Sequence, residues 1–141
     1  MSYPLCNVGD VMFVARPWRS NDQIAYHHAG IVMEIDEANQ PTCIIDFDPT
    51  FDGKQGSIFN AIQGSSSGKP RMLVGEELAR VFNPDSCFVA HKASTDPQEV
   101  ELILARINVA LDKVHTYHLV TYNCQHFATE MQTGRGMFLD I

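Results

Sequence analysis

Several features are absent from this 141-residue sequence, and each absence excludes a class of protein. No stretch approaches 18 uninterrupted apolar residues, so we expect no transmembrane helix. No run of Lys and Arg is longer than a pair, and 10 basic residues face 17 acidic ones, which gives a net charge of −7. That balance disfavours electrostatic binding to nucleic acid. We therefore predict no nucleic-acid partner and no integral membrane span.

Paired cysteines and an export signal are also absent. The four cysteines are far apart in the chain, with no Cys-x-x-Cys pair: Cys6, Cys43, Cys87 and Cys124. The first residues have neither the basic start nor the apolar run of a signal peptide. We therefore expect reduced thiols and a cytoplasmic location. With 45% hydrophobic residues, the chain can fill a core unaided, and we predict a single domain over residues 1–141 without a cofactor.

Hydrophobic periodicity divides the chain into strands followed by helices. Runs of β-forming residues predict strands at about residues 11–15, 28–35, 42–47 and 86–90. Helices are predicted at 75–81, at 97–114 behind a cap at Asp96, and from near Cys124 to a stop at Gly134. Strands and helices segregated in this way predict an α+β fold, with helices packed against an antiparallel sheet.

Residues 48–70 interrupt this pattern. The segment is rich in Gly, Ser, Pro and Asn around a few apolar residues, among them Phe51 and Phe59. A stretch of this length and composition in a small domain is typical of a functional loop, because it buries too little surface to fix one conformation. We predict an irregular, mobile flap that closes over a cleft.

Two segments carry residues suited to nucleophilic chemistry. In the first, Tyr26-His-His28-Ala-Gly-Ile-Val32, polar residues run directly into a strand. In the second, Cys124 falls at the first turn of a helix, behind Asn123, which can cap that helix. The partial positive charge and the N–H groups of a helix N-terminus favour a thiolate and can stabilise an oxyanion. A neutral His across the cleft could take the thiol proton.

These segments resemble the motifs of a known family. The run Asn-Cys124-Gln-His-Phe-Ala is similar to the Asn-Cys-Glu-His-Phe signature of the lecithin:retinol acyltransferase-like proteins. His28 in His-Ala-Gly-Ile-Val resembles the His-Trp-Ala-Ile-Tyr strand of that family, of its NlpC-type peptidase relatives and of the viral H-box/NC proteins. Gly9-Asp10 resembles the opening of the family. Cys43-Ile-Ile-Asp46-Phe resembles the strand that carries a third polar residue.

The resemblance implies a circularly permuted papain-like fold and a thiol acyl-enzyme mechanism. In it Cys124 is the nucleophile, His28 is the general base, and Asp46 orients His28 by accepting its second N–H. Such a hydrolase or acyltransferase acts on an ester, a thioester or an amide, with a lipid acyl group or a peptide as substrate. The chain departs from the family at Gln125 (Glu), at Ala29 (Trp) and at Asp46 (commonly His), and it lacks an apolar C-terminal anchor. A peripheral contact with lipid stays open.

The remaining polar residues near the motifs receive smaller roles. Neighbouring residues on a strand point to opposite faces, so His27 and His28 cannot both face the cleft. The resemblance to the family strand selects His28 for the site, and His27 is expected to be solvated. Tyr26, Trp18 and Tyr122 are predicted to contact substrate. Cys6, Cys43 and Cys87, set among apolar residues, are expected to be core residues.

Two other functions are compatible with these residues. The first is a non-catalytic interaction module, like some viral H-box/NC relatives, that retains the fold. The second is a zinc site formed by His27, His28, Cys124 and His126. Adjacent histidines on a strand diverge, and Cys-x-His does not present both ligands on one helical face, so no metal is predicted.

Overall fold

A computed structural model describes residues 2–17, 24–48, 66–118 and 122–139. Within these ranges five strands form one antiparallel sheet, and two short strands form another. The strands are β1 (Val11–Pro17), β2 (Ile24–Ile35), β3 (Pro41–Asp46), β4 (Ser66–Gly68), β5 (Arg71–Val74), β6 (Cys87–His91) and β7 (His115–Tyr117). The helices are α1 (Gly75–Val81), α2 (Pro97–Leu111) and α3 (Cys124–Thr133). The observed fold is therefore α+β, as the segregated pattern predicts.

The larger sheet has the order β5-β3-β2-β1-β6, which places β2 at its centre. Both faces of this central strand are buried, which explains why its apolar residues form a run instead of alternating with polar ones. Ile31 faces a core shared with α2 and α3, where it meets Ile107 and Phe127. Val32 faces the opposite core, where it meets Leu78 of α1 and Phe82. The neighbouring residues Ile31 and Val32 thus face opposite cores, as strand alternation requires.

Local capping signals define both long helices. The carboxylate of Asp96 accepts a hydrogen bond from the Gln98 N–H at 3.0 Å, and Pro97 occupies the first helical position. Helix α2 ends at Leu111 instead of 114, because the chain turns there towards β7. Helix α3 ends at Gly134, whose φ of +84° is the left-handed conformation that favours glycine at a helix end.

Three short strands lie where the sequence predicts none. Ser66–Gly68, inside the segment predicted to be irregular, pairs with His115–Tyr117, and Arg71–Val74 forms an edge of the main sheet beside β3. These residues include few β-formers, so pairing with a distant partner outweighs local propensity. Pairing with β1 likewise begins β2 at Ile24 and not at His28. Residues 49–65 lie outside the described residues, and the flap there stays a prediction.

The Gly9-Asp10 pair locks the start of the sheet against α2. Gly9 has a φ of +93°, and a Cβ at this position would lie 2.7 Å from Cδ1 of Ile103. The buried carboxylate of Asp10 accepts hydrogen bonds from the N–H groups of Asn7 and Ala93, each at 2.8 Å. The motif is therefore explained by close packing and turn formation. No helix in the described part of the chain is long and apolar enough to cross a membrane.

Candidate functional site

His28 is fully buried on β2, with its imidazole against an acid of the neighbouring strand. Its Nε2 lies 2.7 Å from Oδ2 of Asp46. Register explains the contact: Gly30 pairs with Asp46, and residues 28 and 30 share one face of β2. A Cβ at Gly30 would lie 2.8 Å from Cζ of Phe82, whose ring also packs on His28 with centroids 5.3 Å apart. The glycine of the motif therefore lets Phe82 close over the strand beside the imidazole.

Asp46 is held from its other side by Arg71 of β5, its direct partner in the β3–β5 ladder. The Nε of Arg71 donates to Oδ1 at 2.8 Å, and Nη2 donates to Oδ2 at 2.5 Å. Burial by itself raises the pKa of a carboxyl group, but the hydrogen bonds and charges of His28 and Arg71 outweigh it and lower the pKa of Asp46. Asp46 is therefore a buried carboxylate that stays ionised.

The second ring nitrogen of His28 faces another acid: Oδ2 of Asp48 lies 3.5 Å from Nδ1. Nδ1 itself makes no hydrogen bond within the described part of the chain. Burial disfavours the charged ring. The charges of Cys124 and Asp48, together with the side-chain interactions with Asp46 and Cys124, nevertheless raise the pKa of His28 to about 9. An imidazolium is thus the stable form of His28 at neutral pH.

Cys124 is the first residue of α3, and the helix start is fixed by a capping box. Oδ1 of Asn123 accepts hydrogen bonds from the N–H groups of Gln125 at 2.9 Å and His126 at 3.3 Å. Nδ1 of His126 in return accepts the N–H of Asn123 at 3.1 Å. The N–H groups of Gln125 and His126 are therefore committed to the cap, which contradicts the expectation that they are free for an oxyanion.

The thiol of Cys124 packs against the backbone of β2. Its Sγ lies 4.0 Å from the carbonyl oxygen of His27, and the side chain packs in a core with Ala29 and Phe13. The small side chain at position 29 lets the helix start approach the strand. Pairing of β2 with β3 begins at Gly30, so His28 lies just past the paired region, beside the start of α3.

His27 points away from this cluster, and it is not solvated as the sequence suggested. Its ring stacks on Phe13 with centroids 5.2 Å apart and meets Phe88 edge-on at 5.4 Å. Strand alternation explains why the two neighbouring histidines have separate surroundings. Phe13 on the neighbouring strand β1, and Phe88 on β6 one strand further along the sheet, explain why His27 is half-buried.

Of the three predicted substrate contacts, the structure describes the side chain of Tyr122 alone. The hydroxyl of Tyr122 donates to Oε1 of Glu130 at 3.0 Å, and its ring packs between Phe47 and His126. Burial, and then the charge of Glu130, raise the pKa of Tyr122. The backbone of Tyr26 pairs with Arg16, but its side chain lies outside the described residues, as does all of Trp18.

Two polar residues of this region were given no role by the sequence. Arg71 is 25 residues from Asp46 in the chain, and only the register of β5 brings the two together, so no local pattern identifies Arg71. Gln125 is fully buried. Its Nε2 donates to the His27 carbonyl at 2.9 Å, and its Oε1 accepts the Leu139 N–H at 2.8 Å. The position of Gln125 directly after the motif cysteine was a signal that could have pointed to this role.

The other cysteines are buried free thiols, as the sequence predicts. Burial raises the pKa of Cys6 to about 12 and the pKa of Cys43 and Cys87 to about 11. These three thiols therefore stay protonated at neutral pH. Among the described residues, no group of three or more His, Cys, Asp or Glu side chains is arranged to hold a metal ion.

Comparison with known families agrees with the motifs. The profile of the family described as "Lecithin retinol acyltransferase" matches residues 4–137, which is nearly the whole chain. The chain therefore belongs to the lecithin retinol acyltransferase family. Membership indicates an acyltransferase or thiol-hydrolase type of activity. A search of curated proteins finds no match.

Proposed function

We propose that this protein is a cysteine-dependent acyl-transfer enzyme. In this proposal Cys124 is the nucleophile, His28 is the general base and acid, and Asp46 orients the imidazole. The observation that carries the proposal is the placement of the His28 imidazole: its Nε2 is held by Asp46 at 2.7 Å, and the ring also interacts with Cys124 at the start of α3. A general base needs one ring nitrogen held by an acceptor so that the other can exchange a proton with the nucleophile, and in this proposal Nδ1 has that second role.

The proposed resting state is a thiolate–imidazolium pair, to which the raised pKa of His28 contributes. The sulfur of Cys124 attacks the acyl carbonyl carbon, and the electron pair of the C=O bond moves to oxygen. When the tetrahedral adduct collapses, His28 gives its proton to the leaving oxygen, sulfur or nitrogen, and a thioester remains on Cys124. His28, now neutral, takes a proton from water, a hydroxyl or an amine, which attacks the thioester and frees the thiolate.

The fold assignment belongs to the same proposal. We assign a circularly permuted papain-like domain over residues 1–141, in which the histidine strand precedes the nucleophile helix. The order of β2 and α3 and the start of α3 at Cys124 support it. We assign lipid acyl groups or peptides as substrates and the cytoplasm as the location. The acid–base set consists of protein side chains alone, so the proposed reaction uses no cofactor.

One observation favours a second candidate, a non-catalytic interaction module. The side chains of Cys124, His28 and Asp46 are all buried, with at most 1% of each residue exposed. A substrate must therefore displace part of the protein before it reaches the sulfur. An interaction module needs no such opening, and it would retain the buried cluster only for stability.

Turnover of a panel of acyl esters, thioesters and amides separates the two candidates. We expect the wild-type protein to release product from at least one class and the Cys124→Ala variant to release none. Cys43→Ala is the matched control, because Cys43 is a similarly buried free thiol on β3, in the core. Loss of activity in both variants, or turnover that survives Cys124→Ala, would contradict a Cys124 nucleophile. Absence of turnover across the panel would favour the interaction module.

A further inference from the structure

Asp46 is a buried carboxylate with a cation on each side. His28 occupies Oδ2 at 2.7 Å, while Arg71 reaches Oδ2 at 2.5 Å and Oδ1 at 2.8 Å. The two hydrogen bonds of Arg71 come from one planar guanidinium, which fits a carboxylate in a single orientation. Arg71 is itself only partly covered, with 30% of its side chain exposed. The carboxylate therefore cannot rotate away from His28 without breaking the contact with Arg71.

A second acid also lies beside His28. Asp48 is 3.5 Å from the other nitrogen of His28, so one imidazole stands between two buried acidic side chains. Arg71 brings a second cation to this cluster, and Asp46 and Asp48 both act on its guanidinium. Buried charges persist only when they are paired in this way.

We propose that Arg71 is a positioning residue of the acyl-transfer reaction, which holds Asp46 ionised and oriented so that His28 keeps its Nε2 on Asp46 and uses its Nδ1 in the proposed proton transfer with Cys124. This role rests on the proposed function. Arg71 acts through Asp46 and does not touch the reacting atoms. In this respect the chain replaces the histidine common at the third position of the family with a carboxylate–guanidinium pair.

Two simpler roles are available to Arg71. In the first, Arg71 is purely structural and joins β3 to β5. In the second, it binds an anionic group of the substrate. The charged environment disfavours the second role, because the groups that face this cluster from the surrounding elements are mostly acids. They are His28 on β2, Asp46 and Asp48 at the end of β3, Glu77 on α1 and Cys124 on α3.

The test compares Arg71→Met and Arg71→Lys with Arg80→Met as the matched control. Arg80 is an exposed arginine whose ion pair, with Glu77, lies on the surface of α1. Two assays are run on each protein: kcat and KM with the best acyl substrate, and the rate of Cys124 alkylation by iodoacetamide as a function of pH. Tm is measured alongside them. Alkylation is followed by peptide mass spectrometry and does not require turnover.

We expect Arg71→Met to lower kcat roughly 10- to 100-fold with KM unchanged, the effect of losing a hydrogen bond to a charged group. We also expect the acid limb of its alkylation profile to move to higher pH, because the variant removes a positive charge that favours the ionised form of nearby acids. Arg71→Lys keeps the positive charge but loses the paired hydrogen bonds of the guanidinium to Asp46. Its kcat and the acid limb of its alkylation profile should therefore lie between those of Arg71→Met and wild type. Arg80→Met should match wild type in kcat, in KM and in its alkylation profile.

Three results would overturn the role of Arg71: an acid limb unchanged in Arg71→Met, a raised KM with unchanged kcat, or a loss of kcat explained entirely by a lower Tm. If Arg71→Met does not fold, Arg71→Lys decides by itself, and a wild-type profile in that variant overturns the proposal. Failure of the proposed function is recognised separately in the wild-type protein. There, Cys124 would be alkylated at pH 6.5 no faster than Cys87.

Discussion

The side-chain amide of Gln125 donates a hydrogen bond to the backbone carbonyl of His27 at 2.9 Å, which joins the first turn of α3 to β2. The same amide accepts the Leu139 N–H, so Gln125 also fixes the segment that follows α3. Because Gln125 is next to Cys124, and His27 is next to His28, this one contact sets the distance between the two proposed catalytic residues. Gln125 is therefore as much a part of the site's construction as the residues that react.

We predict that Gln125→Ala lowers the free energy of unfolding by about 1–3 kcal/mol, because it removes two side-chain hydrogen bonds, to the His27 carbonyl and from the Leu139 N–H. Activity should fall as well, since β2 and α3 lose a direct connection. Urea unfolding and the acyl-transfer assay measure the two effects. Gln98→Ala, at an exposed position of α2, is the control and should change neither. A Gln125→Ala protein as stable and as active as wild type would contradict the linking role.

We predict that His28→Gln abolishes acyl transfer and that His27→Gln does not. His28 carries the proton in the proposed mechanism, whereas His27 only stacks on Phe13 and Phe88. The His27 variant should lose about 0.5–1.5 kcal/mol of stability through the missing aromatic contacts. The reverse pattern of activity would show that the wrong histidine of the pair has been assigned to the site.

Asp46→Asn should lower kcat less than either Cys124→Ala or His28→Gln. Asparagine keeps an oxygen that can accept the Nε2–H of His28, but it provides no negative charge to stabilise the imidazolium. A loss of roughly 10- to 100-fold is expected, the size of a missing charged hydrogen bond. A kcat equal to that of wild type would remove Asp46 from the mechanism.

Stability should depend on pH in a way that identifies His28. Its pKa is raised in the folded state to about 9, so its contribution is fully present below about pH 6.5 and is lost as the pH rises through 9. The pKa of Asp46 is lowered, so its contribution is present above about pH 4 and is lost as the pH falls through the folded-state value.

Urea unfolding of the wild type and of His28→Gln between pH 6.5 and 8.5 measures the histidine contribution. We expect the wild type to lose stability over this range and the variant to lose much less. The upper limit avoids the buried cysteines, whose raised pKa values cause a further loss above pH 9. Equal slopes in the two proteins would contradict a raised pKa at His28.

The parts of this molecule that follow from local signals are predictable from sequence, and the parts that depend on distant pairing are not. Asp96 with Pro97 marks the start of α2, and Asn123 marks the start of α3 at Cys124, because a helix cap is a contact within a few residues. The contact of Asp46 with Arg71 spans 25 residues, and that of Gln125 with His27 spans 98. Neither follows from spacing or composition, since each depends on which strands and helices become neighbours.

The acyl-enzyme itself is the most direct test of the account. The wild-type protein is incubated with the best acyl donor, quenched in acid, and examined by intact mass and peptide mapping. We predict a single acyl increment on Cys124 that hydroxylamine removes, with none on Cys6, Cys43 or Cys87. His28→Gln should form the adduct far more slowly. Product release without any adduct on Cys124, or an adduct on another cysteine, would contradict the claim that Cys124 is the nucleophile.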